Sequence, residues 1–372
     1  MQSRGLEGVV AAQTGVCYID GIQGRMIYRG FDIHDLATQS SFEETAYLLW
    51  HGSLPTKSQL TVLNDELAAN RKLPGKVLSL LRVFAKDALP MDALRTTVSA
   101  LATYDPDVAD NSHEANVRKA VRLTAQLSTA TAAYWRLRED KDLINPNPKL
   151  SHAANFLYML SGHAPDALSA RAFDIALILH ADHELNASTF AARVTAGTLS
   201  DMHSAVTSAI GTLKGPLHGG ANQDVMRMLQ EIGEVDRAAD YVREKLAAKA
   251  KIPGFGHRVY KTEDPRATHL RRLSQELGQK AGNLKWFELS RQVEGVMMAE
   301  KKLACNVDFY SASVYHTMGI PVELFTPIFA CSRISGWAAH LLEQYADNRL
   351  IRPVGDYVGE TDLKYLAIEN RG

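Results

Sequence analysis

Four short segments of the chain set a titratable side chain beside glycine or a helix end. In His180-Ala181-Asp182-His183-Glu184, two imidazoles three residues apart would share one face of a helix. Flanked by carboxylates, they read either as ligands for zinc or iron or as a hydrogen-bonded pair at a helix C-terminus. The HExxH spacing is missing, and no third ligand stands out. In Gly215-Pro216-Leu217-His218-Gly219-Gly220-Ala221-Asn222, glycines let the backbone approach a ligand closely, and a helix is expected to begin near Ala221. The positive end of that helix disfavours imidazolium, so a neutral His218 can donate to a developing oxyanion. The competing reading is a glycine hinge with a surface histidine.

The third segment runs from Lys249 to Lys261 and contains Gly254-Phe255-Gly256. It lacks the preceding strand and the last glycine of a dinucleotide fingerprint. What remains is a glycine loop ringed by Lys249, Lys251, Arg258 and Lys261. It suits the phosphates of a nucleotide-like ligand such as CoA, or is a solvated basic loop. Just beyond, Asp264 is expected to cap a helix with Pro265 at its first position, which would fix Arg266. In the fourth segment, Asn306-Val307-Asp308-Phe309-Tyr310-Ser311, Asp308 reads as a helix N-cap or as a general base whose pKa a dry aromatic setting raises. Arg333, expected to open a helix, and Arg352, near the C-terminus, can join Arg266 in a guanidinium set that grips two carboxylates.

The elements that must position these groups are mostly helical. Cys17–Ile19 and Arg25–Tyr28 flank the turn-rich Asp20-Gly21-Ile22-Gln23-Gly24 and predict a small hairpin. Ser41-Phe42-Glu43-Glu44 reads as a capping box, with Glu44 reaching back, ahead of an apolar stripe. Helices are expected at 57–70, 91–104, 114–138, 166–180, 188–213, 236–250, 266–278, 284–303 and 332–346. Asn145-Pro146-Asn147-Pro148, Lys214-Gly215-Pro216 and Ile252-Pro253-Gly254 mark breaks. The stretch 195–213 is rich in small residues, as suits either a tightly packed internal helix or one at a subunit interface. The fold class is therefore all-α with a minor β element.

Bulk composition narrows the function classes. Forty-one basic residues against 42 acidic ones leave a net charge of -1, so no basic excess points to nucleic acid or a membrane surface. Three scattered cysteines fit reduced thiols in the cytoplasm, and no run approaches a membrane helix or a secretory signal. At 372 residues, two domains are the default expectation.

Together the segments resemble the citrate synthase family. GPLHGGAN, GFGHRVYKTEDPR, NVDFYSASVYHTMGIP and SRISGW…LIRP stand in that family's order and spacing. The likeness extends from RGLEGVVA and YRGFDIHDLA through ILHADHELNAST. It is nearest to the short dimeric bacterial and archaeal form, without the N-terminal extension of larger NADH-sensitive enzymes.

The resemblance implies an enzyme of the tricarboxylic acid cycle that condenses acetyl-CoA with oxaloacetate and water to give citrate and CoA. By it, His218 stabilises the enol, His257 polarises the ketone and Asp308 takes the methyl proton. His183, Arg266, Arg333, Arg352 and Phe329 hold the dicarboxylate, with Arg352 given to the neighbouring subunit's site in a homodimer. Lys251, Ile252, Gly254, Phe255, Gly256, Arg258, Lys261 and Asn306 bind CoA. No metal or cofactor is implied, acetyl-CoA being a substrate. The family architecture places a large helical domain at 1–214 plus 320–372 and a small mobile domain at 215–319. The nearest alternative is 2-methylcitrate synthase, which uses propionyl-CoA. Two rivals from other classes are a metal-dependent hydrolase on His180, Asp182 and His183, and a non-catalytic helical scaffold.

Overall fold

A computed structural model describes residues 4–6 and 8–371, so Glu7 of the RGLEGVVA motif lies outside the described residues. Near the N-terminus, β1 (Cys17–Asp20), β2 (Arg25–Tyr28) and β3 (Phe31–Asp32) form an antiparallel sheet in sequence order. Cys17 pairs with Tyr28 and Asp20 with Arg25. The Asp20 carboxylate accepts the amides of Ile22 and Gln23 at 2.9 Å and closes the turn. The expected hairpin is present, with a short third strand added.

Helices α1 (Ile33–Gln39), α2 (Phe42–His51), α3 (Lys57–Ala69), α4 (Gly75–Phe84) and α5 (Pro90–Leu101) follow. Next come α6 (His113–Arg138), α7 (His152–Ser161), α8 (Ala167–His180), α9 (Ala187–Ala196), α10 (Met202–Leu213) and α11 (Ala221–Ile232). The chain continues with α12 (Ala238–Ala247), α13 (Pro265–Lys280), α14 (Lys285–Lys301), α15 (Val307–Thr317) and α16 (Phe325–Ala346).

Several expectations are corrected by local chemistry. The single helix at 188–213 is two, because the Asp201 side chain caps a fresh start by accepting the Ser204 amide. At α2, Ser41 accepts the Glu44 amide, whereas the reciprocal box forms at Thr56 and Gln59 ahead of α3. Asp308 is not the N-cap of α15; Asn306 is, and its side chain accepts the Asp308 amide. The helix expected at 332–346 begins at Phe325, with Pro327 tolerated in its first turn, so Arg333 sits inside it rather than opening it. From Phe325 to Leu342 every residue of α16 is buried, so the helix has no polar face to give an amphipathic signal.

The core gathers around α16, which packs on α2, α6, α8, α9 and α10. Small-residue α10 buries Met202, Ala205, Val206, Ala209, Ile210 and Leu213, while Ser204, Ser208, Gly211 and Thr212 stay half-buried on its other side. A second group, α11 to α15, packs mainly on itself. Beyond Ala346 the described residues hold one 3₁₀ turn (Ile368–Asn370) as their regular structure.

Candidate active site

The end of α8, the loop before α11, the loop before α13 and the start of α15 converge against α16. Helix α8 stops at His180, so His183 lies beyond it and the two imidazoles do not share a helical face. His180 Nδ1 bonds the Ala176 carbonyl at 2.8 Å, and Asp182 turns to His340 at 3.3 Å. That geometry removes the proposed metal trio. Among the described residues, Glu263, Glu294 and Cys305 do cluster, but the Arg271 guanidinium bonds both carboxylates and neutralises the group.

His183 is buried, and its Nε2 has no partner among the described residues. Its ring centroid lies 5.1 Å from that of His257 and 5.7 Å from that of Tyr260. His257 Nδ1 accepts the Val259 amide at 3.0 Å and the Tyr260 amide at 3.2 Å. An amide can only donate, so Nδ1 is the bare nitrogen and Nε2 carries the proton. Burial, reinforced by the Arg266 charge, lowers the His257 pKa to about 4, so the ring is a neutral donor at neutral pH.

His218 is held the other way round. Its Nε2 meets the Ser188 hydroxyl at 2.9 Å and accepts the Ser188 amide at 3.3 Å, which puts the proton on Nδ1. Trp337 of α16 donates to the same hydroxyl at 3.2 Å. Burial and then Arg333 bring the His218 pKa to about 4.

Asp308 sits in the first turn of α15, half-buried. Burial pushes its carboxyl up to about 6 against the opposing charges of Arg266 and Arg333. The two arginines, both buried, differ in their partners. Arg266 is locked to Asp264 by Nε to Oδ1 at 2.9 Å and Nη2 to Oδ2 at 2.7 Å. Burial opposes its charge, but Asp264 outweighs that and holds the guanidinium ionised. Asp264 is the expected N-cap, and it also accepts the Val307 amide at 3.1 Å. Arg333 forms no ion pair with a carboxylate among the described residues. Its Nε donates to the His180 carbonyl at 2.7 Å, and its guanidinium stacks 4.6 Å above the Phe329 ring. A buried guanidinium without a partner acid has the charge and donors to bind a carboxylate.

The glycine loop lies alongside. Gly254 (φ 82°) and Gly256 (φ 77°) adopt the left-handed conformation, and a Cβ at 254 would meet Phe309 and Val225 at 2.7 Å. Phe255 bridges to Cys305 and packs on Phe309, and Ile252 is buried beneath. Asn306 is used inside the protein: it donates to the Gly256 carbonyl and caps α15. Lys251, Arg258 and Lys261 are exposed. A cavity of about 240 Å³ is lined by Gly256, His257, Tyr260, Lys261, Lys302 and Ala304, among others.

The structure thus brings together His183, His218, His257, Arg266, Asp308, Phe329 and Arg333. Arg352 is not part of this group; it is exposed in the C-terminal stretch. Sequence reasoning did not find Ser188, Trp337 or Tyr260. Ser188 lies 30 residues from His218 and Trp337 lies 149 from Ser188, so no local spacing announces them.

Fold and site define a mostly helical protein in which two neutral imidazoles and one carboxyl of raised pKa lie around two buried arginines. A model of the citrate synthase C-terminal domain matches residues 5–354. A citrate synthase from Haloferax volcanii is 53% identical, with 99% of this chain and 98% of the relative covered. A 2-methylcitrate synthase from Shewanella oneidensis is 44% identical, with 99% and 97% covered. The solved citrate synthase of Pyrobaculum aerophilum superposes with a TM-score of 0.94 at 41% identity, covering 100% of this chain and 97% of that one. The citrate synthase of Thermoplasma acidophilum, solved as a ternary complex with carboxymethyl coenzyme A and oxaloacetate, superposes with a TM-score of 0.93 at 32% identity, covering 100% of both chains. The chain belongs to the citrate synthase family.

Proposed function

We infer that this chain condenses acetyl-CoA with oxaloacetate and water, giving citrate and free CoA. The observation that carries the reading is the pair of neutral histidines presenting opposite ring nitrogens beside a carboxyl raised to about 6. Asp308 takes a proton from the acetyl methyl while His218 Nδ1–H stabilises the enolate oxygen. A thioester C–H is too weak an acid for a lone carboxylate, so both are needed at once. The enolate carbon attacks the ketone of oxaloacetate as His257 Nε2–H donates to the oxygen gaining charge. Water then cleaves the citryl thioester and releases the CoA thiol. The proton Asp308 takes from the methyl is matched by the one delivered to the new hydroxyl at His257. Water supplies the carboxylate oxygen and the thiol hydrogen, with one proton released to solvent; acetyl-CoA is a substrate rather than a cofactor.

Arg333 and the unpartnered His183 Nε2 are free to take oxaloacetate, while Arg266 offers charge from its Asp264 anchor. Exposed Lys251, Arg258 and Lys261 suit CoA phosphates. The self-packing group α11–α15 supports a mobile domain at 215–319 that closes on 1–214 plus 320–372.

Arg352 completes a partner's site in a homodimer. The exposed tail residues Val354, Tyr357, Val358 and Tyr365 support a second copy as their cover. Co-expressing Arg352→Ala and Asp308→Asn chains tests this, because mixed dimers regain one intact site and activity; no regain would refute the exchange. Buried free thiols at Cys17, Cys305 and Cys331 support a reducing, cytoplasmic setting. Among the described residues no helix is long and apolar enough to cross a membrane.

The deciding assay follows thiol release from acetyl-CoA and propionyl-CoA, each with and without oxaloacetate. Oxaloacetate-dependent release faster with acetyl-CoA is the expected result. A propionyl-CoA preference would move the chain to 2-methylcitrate synthesis, and no release would refute the reading.

A further inference from the structure

The N-terminal sheet has no part in the chemistry above, yet it touches both segments that present the paired histidines. We propose that the β1–β2 hairpin is the positioning element of the oxaloacetate histidines, with Tyr28 and Gly21 as its two points of purchase. The inference rests on the reading of His183 and His257 as oxaloacetate-binding.

At its base, the hairpin holds the His183 segment. Tyr28 is fully buried. Its hydroxyl donates to the Asp182 carbonyl at 2.9 Å and accepts the Asp182 amide at 3.1 Å. One hydroxyl therefore pins both backbone polar groups of the residue before His183. At its tip, the hairpin holds the His257 loop. The Lys261 amide donates to the Gly21 carbonyl at 2.7 Å. A Cβ on residue 21 would overlap the Val259 carbonyl, so only glycine allows this approach. Gly24 (φ 66°) lies against Thr262 in the same way, since a Cβ there would come within 2.7 Å of the Thr262 methyl.

The contact at the tip is not remote from the chemistry. Val259 and Tyr260 supply the amides that occupy His257 Nδ1 and leave the proton on Nε2. Moving Val259 or Lys261 moves those donors. The paired register from Cys17–Tyr28 to Asp20–Arg25, with the turn closed by Asp20, makes the hairpin a short strut of fixed length. It spans the two segments whose histidine rings lie 5.1 Å apart. A third tether follows in the same stretch of chain: His34 Nδ1 meets His269 Nε2 at 2.8 Å on α13, the helix that begins beside Arg266. A misplacement of about 1 Å at a reacting group can cost about 100-fold in rate, so a strut between two substrate contacts is a functional part.

The test uses the full-length enzyme and three variants: Tyr28→Phe, Gly21→Ala and Ile22→Ala. Ile22 sits at the same tip with its side chain 82% exposed, so its variant serves as the control. Measured for each are kcat, KM for oxaloacetate, KM for acetyl-CoA and the melting temperature. Tyr28→Phe should raise KM for oxaloacetate by about 5–10-fold, the scale of a lost buried hydrogen bond, with KM for acetyl-CoA within about twofold. Gly21→Ala should also lower kcat by about tenfold or more, because it disturbs the amides behind His257. Ile22→Ala should match the wild type. Wild-type oxaloacetate constants in both Tyr28→Phe and Gly21→Ala would overturn the inference. So would parallel losses for both substrates tracking a fall in melting temperature. If Gly21→Ala does not fold, Tyr28→Phe decides alone. A wild-type enzyme without oxaloacetate-dependent thiol release would instead sink the activity reading on which the inference rests.

Discussion

The loops that carry His218 and His257 bring the same side chain to the same pKa, about 4, by the same cause, burial. They present opposite nitrogens. The His257 loop does this with its own backbone, through amides two and three residues on. The His218 loop borrows Ser188 from α9, itself bonded by Trp337 of α16. A charge state is thus a property of the surroundings, whereas the choice of nitrogen depends on particular neighbours. Two donors of one chemical kind serve two oxygens because their neighbours differ.

Removing either ring is the coarsest way to break the comparison. His218→Ala and His257→Ala should each lower kcat by about 100- to 1,000-fold, the range for a lost oxyanion donor, measured by thiol release. The neutrality of both rings is tested by pH. Asp308 must be ionised to act, and its pKa is raised to about 6, so kcat/KM should fall about tenfold per unit as pH drops below about 6. Both histidines stay neutral down to about 4, so no steeper limb should appear above that. A second ionisation between pH 5 and 7 would show that one ring carries charge.

Amide side chains then sharpen the tautomer assignment. The nitrogen of asparagine sits at about the depth of Nδ1, and that of glutamine at about the depth of Nε2. His218→Asn should therefore exceed His218→Gln in kcat, and His257→Gln should exceed His257→Asn. Each gap should be about tenfold, the worth of one charge-assisted hydrogen bond. The reverse order at either position would reverse that assignment. The smallest effect belongs to Ser188→Ala, about fivefold in kcat for a hydroxyl that orients but does not react. It should leave KM for oxaloacetate unchanged, because among the described residues no hydrogen bond joins His257 to Ser188.

The site was legible where chemistry is local. Asp264, Pro265 and Arg266 lie consecutively, so the cap and the fixed arginine could be read directly. Glycines 254 and 256 carry their left-handed backbone in their identity. What was not legible came from distance or from uniform burial. Ser188 and Trp337 reach His218 only through the fold. The early start of α16 was hidden because a helix buried on every side shows no period. The break between α9 and α10 was recoverable, since Asp201 three residues before Ser204 is a capping signal inside an otherwise helical stretch.

Asp264 has one further consequence. Its two oxygens hold the Arg266 guanidinium, the first turn of α13 and the Val307 amide at the head of α15. The arginine and the base at Asp308 are therefore parts of one lever with a single fulcrum. A pull on the guanidinium is also a displacement of the base, and neither can be set without resetting the other.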